Sequence, residues 1–347
     1  MATIFDVAKL AGVSIKTVSR VVNNEASIRP ETRTKVSAAI EMLGYEPHRG
    51  ARMMRSSKSG LIGLITGLIS ASNSPFITEG LSDIHILRGA QEVCSGAGKT
   101  LLIGDMAGNP DTAAELMQTF ISHRVEGVIY AAPFHQQVWL PPHGKTPLVL
   151  VNCFDQIRTP AVVPDDTLGQ ALAVDHLAQR GHRRIAYIGL NEGAVAGRLR
   201  KAAFIAACAR NGLNAQDCPV RIGVLDDADK QDPFAPLPGI LRELMGAANR
   251  PTALCLGNDI MAAHAARILE QLGIHMPEEL ALMGFDNDPM ICQLLRPRLS
   301  TVTLPYFAMG RAAVETLLTL IQGEAPPQTG PQRIAGEVVE RDSTPAL

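Results

Sequence analysis

The chain has 347 residues, 46% of them hydrophobic, with six scattered cysteines and 32 Lys+Arg against 34 Asp+Glu. That balance excludes a protein that is basic throughout, a disulfide-stapled secreted scaffold and a disordered polyelectrolyte. No apolar run is long enough to span a membrane and no signal peptide opens the sequence, so a cytoplasmic protein without a membrane partner is expected.

The first predicted element is a short helix capped by Thr3, with Asp6 three residues on to complete a capping-box pair and Gly12 to make the bend that ends it. A second helix starts behind Ser14, whose hydroxyl can accept a backbone N–H there. This puts Ile15, Lys16, Ser19 and, one turn on, Arg20 on the exposed edge, where a recognition helix meets base edges in the major groove. Val7, Ala8, Ala11, Val18, Val21 and Val22 recur at helical spacing. Val36, Ala39, Ile40 and Leu43 of a third helix complete the core, with Pro30 in that helix's first turn and Gly44 past its end. Ten basic residues against five acidic ones through residue 58 give the head about +5 and the rest about −7, a local basic footprint on an acidic body. Segment 48–59 reads as a linker, in which residues 48–55 could form a little more than two helical turns, too short to be stable alone.

From residue 60, apolar runs of strand length at 61–65, 100–103, 127–130, 148–151, 185–188, 253–256 and 280–283 alternate with helical stretches, with a last strand at 334–339. Such alternation predicts parallel sheets covered on both faces, and the length predicts two subdomains. Crossovers are expected near 152–164 and 290–304, with a ligand between the lobes beyond the carboxyl ends of the strands. Several apparent motifs carry no chemistry. Gly96-Ala97-Gly98-Lys99-Thr100 imitates the end of a phosphate loop, but Val93 stands where its first glycine is needed. The cysteines show no Cys-x-x-Cys pair and read as reduced thiols, the nine histidines lack metal-ligand spacing, and there is no serine nucleophile elbow, so neither cofactor nor metal is expected.

Asp6-Val7-Ala8, Ala11-Gly12-Val13-Ser14, Thr17-Val18-Ser19-Arg20-Val21, Thr32-Arg33 and Gly44-Tyr45 with Pro47 resemble the lactose/galactose repressor family of bacterial transcription factors. Matching blocks continue in the family's order: Gly181-His182-Arg183-Arg184-Ile185-Ala186, Gly257-Asn258-Asp259, Gly284-Phe285-Asp286, Leu299-Ser300-Thr301-Val302 and Met309-Gly310. The resemblance implies an all-α helix-turn-helix head (1–47), a hinge (48–59) and an α/β periplasmic-binding-protein-like body (60–347) of two doubly wound subdomains. The first lobe is expected at about 60–160 plus 292–325, the second at about 161–291 plus 326–343.

In that reading the head, as a homodimer, contacts pseudo-palindromic operator DNA through Thr3, Ser14, Ile15, Lys16, Thr17, Ser19, Arg20, Asn23, Thr32 and Tyr45, and the hinge through His48, Ala51 and Met54. The hinge helix folds on DNA, with Met54 as the minor-groove wedge where Leu is usual. The small-molecule effector, commonly a sugar, is matched to Arg200, Asn258 and Asp286, with Asn152 standing where many members have Asp. An arginine, a carboxylate and an amide can satisfy vicinal hydroxyls while an aromatic covers the apolar face, with Phe76, Phe134, Phe204 and Tyr306 as candidates. Asn258-Asp259 could equally cap the following helix, and each aromatic could be core. The resemblance implies a cytoplasmic, nucleoid-associated repressor whose effector shifts the lobe angle and thereby the order of the hinge. A purine-type effector, a transport-type solute-binding protein and a doubly wound enzyme are the alternatives; the last would show a phosphate loop or clustered acid/base residues.

Overall fold

A computed structural model describes residues 2–22, 25, 28–45, 59–67, 81–107, 109, 111–140, 142–225, 232–325 and 330–347, which fall into two units divided at Ser59/Gly60. In the first unit, α1 (Ile4–Ala11) opens on a complete capping box: the Asp6 carboxylate accepts from Thr3 N–H at 2.8 Å, and the Thr3 hydroxyl oxygen accepts from Asp6 N–H at 3.4 Å. Gly12 ends the helix at φ 65°, a left-handed conformation that a side chain would strain. Thr17 N–H donates to Ser14 Oγ (3.2 Å) at the start of α2 (Ile15–Val22), and α3 (Pro30–Leu43) follows. Val7, Ala8, Val18, Val21, Val36, Ala39 and Tyr45 close one small core between the three helices.

The second unit contains two sheets built on one plan. The first holds β1 (Leu61–Thr66), β2 (Thr100–Asp105), β3 (Gly127–Gln137), β4 (Leu148–Phe154), β5 (Ala161–Pro164) and β11 (Gln332–Ile334), in the parallel order β11-β5-β4-β3-β1-β2. The other holds β6 (Ile185–Gly189), β7 (Val220–Ile222), β8 (Ala253–Leu256), β9 (Ala281–Asp286), β10 (Ser300–Thr303) and β12 (Val338–Val339), in the order β12-β10-β9-β8-β6-β7, with only β12 antiparallel. Both orders reverse beside their first strand, which puts a topological switch point between β1 and β3 and another between β6 and β8.

Helices cover each sheet on both faces, which is why the strands read as unbroken apolar runs. On the first sheet Ile62, Leu64 and Val149 pack under Ile86 of α4 (Leu81–Gly96) and Met309 and Leu317 of α11 (Tyr306–Ile321). Ile65, Val128 and Leu150 pack under Met117 and Phe120 of α5 (Thr112–Ser122). On the second sheet Ile185 and Tyr187 meet Leu177 of α6 (Asp166–Gln179) and Phe204 of α7 (Val195–Arg210). The opposite face carries α8 (Leu237–Gly246) and α9 (Asp259–Gln271) through Leu241, Met261 and Leu269, and α10 (Pro289–Leu294) joins it through Cys292.

Strand pairing redraws the lobe boundaries. Residues 161–164, expected in the second lobe, pair with β4 in the first (Leu150↔Ala161), and 300–303, expected in the first, pair with β9 in the second (Thr301↔Gly284). The expected strand at 334–339 is two strands: β11 returns to β5, and β12 lies on β10. The first lobe is therefore 60–164 with 306–334, the second 166–303 with 338–347. Three very short crossovers join them, at Asp165, at Leu304-Pro305 and at 335–337. At the last of these, a Cβ on Gly336 would fall on the Thr303 carbonyl, so position 336 has no room for a side chain.

Helices α4 and α11 approach so closely that a Cβ at Gly89 would meet the Phe307 carbonyl and one at Gly310 the Ile86 carbonyl. These neighbours are backbone atoms and cannot swing away. Gly89→Ala is therefore expected to cost about 1–3 kcal/mol, as overpacking does, and to lower the thermal midpoint of the body; an unchanged melt would contradict the packing.

Candidate functional site

On the head, Val18 and Val21 anchor α2 in the core, and its other side presents Ile15, 40% exposed, and exposed Lys16, with Thr17, Ser19 and Arg20 partly exposed. The Arg20 guanidinium is held by the Glu25 carboxylate at 2.8 Å, and Arg33 fixes the Glu25 backbone by donating to its carbonyl at 2.7 Å. An exposed pair of this kind is worth at most about 1 kcal/mol, so a phosphate or a guanine edge can take Arg20 over cheaply. Ser14 and Thr17 hydroxyls pair with each other at 2.9 Å and cap α2, Thr3 is committed to the capping box, and Thr32 lies half-buried in the first turn of α3. Tyr45 is a correction: expected as a DNA contact, it is buried in the head core. Asn23, His48, Ala51 and Met54 lie outside the described residues, as does Phe76 of the effector set.

In the body, a buried polar cluster converges on Arg200. Helix α7 leaves β6 at the switch point of the second sheet, and the register of its apolar residues turns Arg200 back over the carboxyl edge of that sheet. There Arg200, 3% exposed, donates Nη1–H to the carbonyl of Gly257 at the end of β8 (2.7 Å) and stacks 3.7 Å from the centroid of Phe285 at the end of β9. Its Nε–H donates to Asp166 Oδ1 at 2.7 Å. The other oxygen of Asp166 lies 2.8 Å from His135 Nδ1. His135 stands on the far part of β3, within a register shift against β4, and its ring packs T-shaped with Phe154. One carboxylate thus joins the first lobe, through His135, to the Arg200 guanidinium of the second.

Electrostatics follow from this burial. Desolvation pushes the Asp166 carboxyl up, but Arg200 and then His135 more than offset it, and the group lies below the ordinary carboxylate range. For Arg200, burial works against the charge and the carboxylates of Asp166 and Asp286 outweigh it, so its pKa is raised. The Asp286 carboxyl is raised well above its usual value, by desolvation first and then by the charge of Asp259. Asp286 at φ 124°, Asn287 at 61° and Asn152 at 59° all hold backbone conformations costly for side-chain-bearing residues. They sit at the carboxyl ends of β9 and β4, where such strain commonly accompanies a binding site.

The other expected effector residues divide. Asn258 lies beside Gly257 and caps α9, its Oδ1 accepting Met261 N–H at 2.8 Å. Asp259 is spent inside the fold, accepting from Thr301 Oγ1 (2.7 Å) and Asp288 N–H (2.8 Å). Asn152 is buried at the end of β4 and donates to the Ala132 carbonyl at 3.2 Å. Phe204 is a second correction: it is 1% exposed and stacks on Tyr187 at 5.2 Å within the core. Tyr306 is half-buried against the first-lobe core, and Phe134 is 56% exposed. Sequence reasoning missed Asp166, His135 and Phe285. The Asp165-Asp166 doublet before a helix was a visible cap signal, and Asp165 does cap α6, but the partners of Asp166 lie 31 and 34 residues away and only folding brings them together. Among the described residues no cluster could hold a metal ion, and no helix is long and apolar enough to cross a membrane.

Comparison with known proteins adds independent findings. Residues 3–48 match the model of bacterial regulatory proteins, lacI family, and residues 174–344 match a periplasmic binding protein-like domain. The chain is 32% identical over 331 residues to the HTH-type transcriptional regulator GalR of Escherichia coli (strain K12), covering 94% of this chain and 92% of that protein. It is 32% identical over 329 residues to the sucrose operon repressor of Escherichia coli, covering 93% and 94%. The lac repressor dimer bound to operator and the anti-inducer ONPF superposes with a TM-score of 0.76 at 25% identity, covering 99% of both chains.

Proposed function

The chain belongs to the lacI family of bacterial regulatory proteins, DNA-binding transcriptional regulators and not enzymes, and we propose that a small carbohydrate held between its two lobes controls its grip on an operator. The observation that carries the effector half is the convergence of Arg200, Asn258, Asp286 and the Phe285 ring beside the switch point of the second sheet, a donor-acceptor set suited to vicinal hydroxyls. Relatives named as sucrose and ribose operon repressors support the same class of ligand.

On the DNA side, Ile15, Lys16, Ser19 and Arg20 read base edges, while Thr3, Ser14, Thr17 and Thr32 position the head on phosphates. The protein acts as a homodimer on a pseudo-palindromic site, since two-fold symmetry in the protein is mirrored in the operator; the lac repressor, a structural neighbour, is a dimer on its operator. Segment 48–59, of which 48–58 lie outside the described residues, serves as the hinge, with Met54 as its wedge. Ligand shifts the population of lobe angles and so the order of the paired hinges. As a regulator of this family the protein is cytoplasmic, and operator binding places it on the nucleoid.

The test combines a thermal-shift screen of full-length protein against mono- and disaccharides with operator titration, using duplexes selected by the protein itself from random sequence. A sugar that raises the melting temperature and changes operator affinity is the expected result; no carbohydrate hit would remove the sugar and leave the DNA-binding function standing. In the same titration Arg20→Ala is expected to lose about 10–100-fold in operator affinity, the equivalent of one good base contact at about 1–3 kcal/mol, with no change in the melt of the body. Equal affinity would remove Arg20 from the interface.

A further inference from the structure

We infer that Glu126 is a positioning residue for operator recognition: its carboxylate holds the backbone N–H of Gly60, where the chain from the head enters the body, and so ties the root of the hinge to the first sheet. The inference rests on the reading of 48–59 as the hinge and adds the part of the body that grips it.

Gly60 is bound through both of its backbone groups. Its carbonyl accepts from Thr100 N–H at the start of β2 (2.8 Å), and its N–H donates to Glu126 Oε1, on the residue before β3, at 2.6 Å. Glu126 N–H in turn donates to the Leu61 carbonyl at 2.8 Å. The other carboxylate oxygen accepts from Lys99 Nζ at 2.6 Å, and both side chains are largely buried, Glu126 at 7% exposed and Lys99 at 17%. The lysine of the false phosphate loop is therefore spent on this carboxylate. Gly60 itself has φ 73°, and no described atom beyond its chain neighbours lies within 4 Å of where a Cβ would stand. A glycine in open space can turn through many conformations, so side-chain packing does not hold this residue and the hydrogen bonds do.

The place of this clamp in the sheet gives it a role beyond capping a strand. In the order β3-β1-β2, β1 is flanked on both sides, and the groups that fix Gly60 stand at the amino ends of those two neighbours. Strands β1 and β3 run parallel from that edge to their carboxyl ends, where the switch point of the first sheet lies between them. A ligand at the carboxyl ends thus acts on strands whose other ends hold the hinge. Paired strands turn as one body and carry the change of lobe angle to Gly60. Released from Glu126, Gly60 would give the hinge slack, and the lobe could turn without moving it.

The test compares two double variants of the full-length protein, Lys99→Met/Glu126→Gln and Lys99→Met/Glu126→Leu. Neither strands a buried charge, because the ion pair is removed as a whole. The glutamine keeps an acceptor for Gly60 N–H and the leucine does not. Operator affinity is measured on duplexes that the wild-type protein selects from random sequence, and again with one base pair added or removed between the half-sites. The Gln variant is expected to bind within about twofold of wild type. The Leu variant is expected to lose about tenfold on the selected duplex and less on the respaced ones, so that its preference for the selected spacing falls by about threefold or more. A bond that served only the stability of the sheet would lower the melting temperature and leave that preference as it was. A folded Leu variant with wild-type affinity and spacing preference, or a Gln variant as impaired as the Leu one, overturns the inference while operator binding by the wild type keeps the DNA-binding function standing. A wild type that selects no duplex would overturn both. Hydrogen exchange in the wild type, followed by NMR after labelling glycine with nitrogen-15, needs no variant to fold: the Gly60 amide is expected to be protected, and exchange at the free-chain rate would also overturn the inference.

Discussion

Replacing Arg200 by alanine is expected to destabilise the body by about 3–5 kcal/mol and to abolish the effector response together with it. The figure is that for breaking a buried ion pair from one side, which strands the other charge in the interior. Here the stranded group is Asp166, with no solvent exposure, left with His135 alone; the Gly257 carbonyl loses its donor and the Phe285 face its cover. For a unit of this size that loss corresponds to a fall of about 10 °C in melting temperature. Arg200→Lys separates folding from recognition. It keeps a cation near Asp166 but cannot reproduce the fork, so most of the stability should return while the effector response stays weak. An alanine variant that melts like the wild type would contradict the buried pair, and a lysine variant with a normal response would remove Arg200 from the effector contact. Operator affinity without effector is expected to be retained in both wherever they are folded.

What the sequence showed of this molecule depended on how local the cause was. Thr3, Asp6, Gly12 and Ser14 act on backbone groups within four residues, and each cap they predict is present. The covered strands were legible as apolar runs because burial on both faces leaves no polar alternation to misread. The lobe boundaries were not legible. The crossovers are one to three residues long, too short to read as linkers despite Pro305 and Gly336, so only hydrogen-bonded pairing assigns 161–164 and 300–303 to their sheets. Aromatic residues were ambiguous for a related reason: Phe204 and Phe285 look alike in sequence, yet one stacks on Tyr187 in the core while the other meets the Arg200 guanidinium. Tyr45 was assigned to DNA through the family resemblance alone, and its ring packs in the head core. The His135–Asp166–Arg200 chain joins β3, α6 and α7, and no spacing rule in a single sequence relates three such positions.

That chain also gives the second large effect. Asp166→Ala is expected to cost about 3–5 kcal/mol, since it leaves the Arg200 guanidinium buried without the carboxylate that most favours its charge. It also cuts the contact between lobes, and His135→Ala cuts the same contact from the other side at lower cost, because Arg200 still compensates Asp166. The two effects share one hydrogen bond and cannot add: a double-mutant cycle by urea unfolding should return a coupling of about 0.5–3 kcal/mol. The sign with pH follows from the depressed carboxyl of Asp166. A group whose folded pKa lies below its unfolded value adds stability that is present above the unfolded value, near 3.8, and is lost as pH falls through the folded one. The gap between wild type and Asp166→Ala should therefore be full at neutral pH and close only in acid, below about pH 4. Because one oxygen of Asp166 serves each lobe, the His135→Ala variant should also change how strongly a bound effector alters operator affinity while its unliganded operator affinity is kept. Strict additivity of the two mutations in unfolding, with a normal effector response in His135→Ala, would show that the lobes are coupled elsewhere.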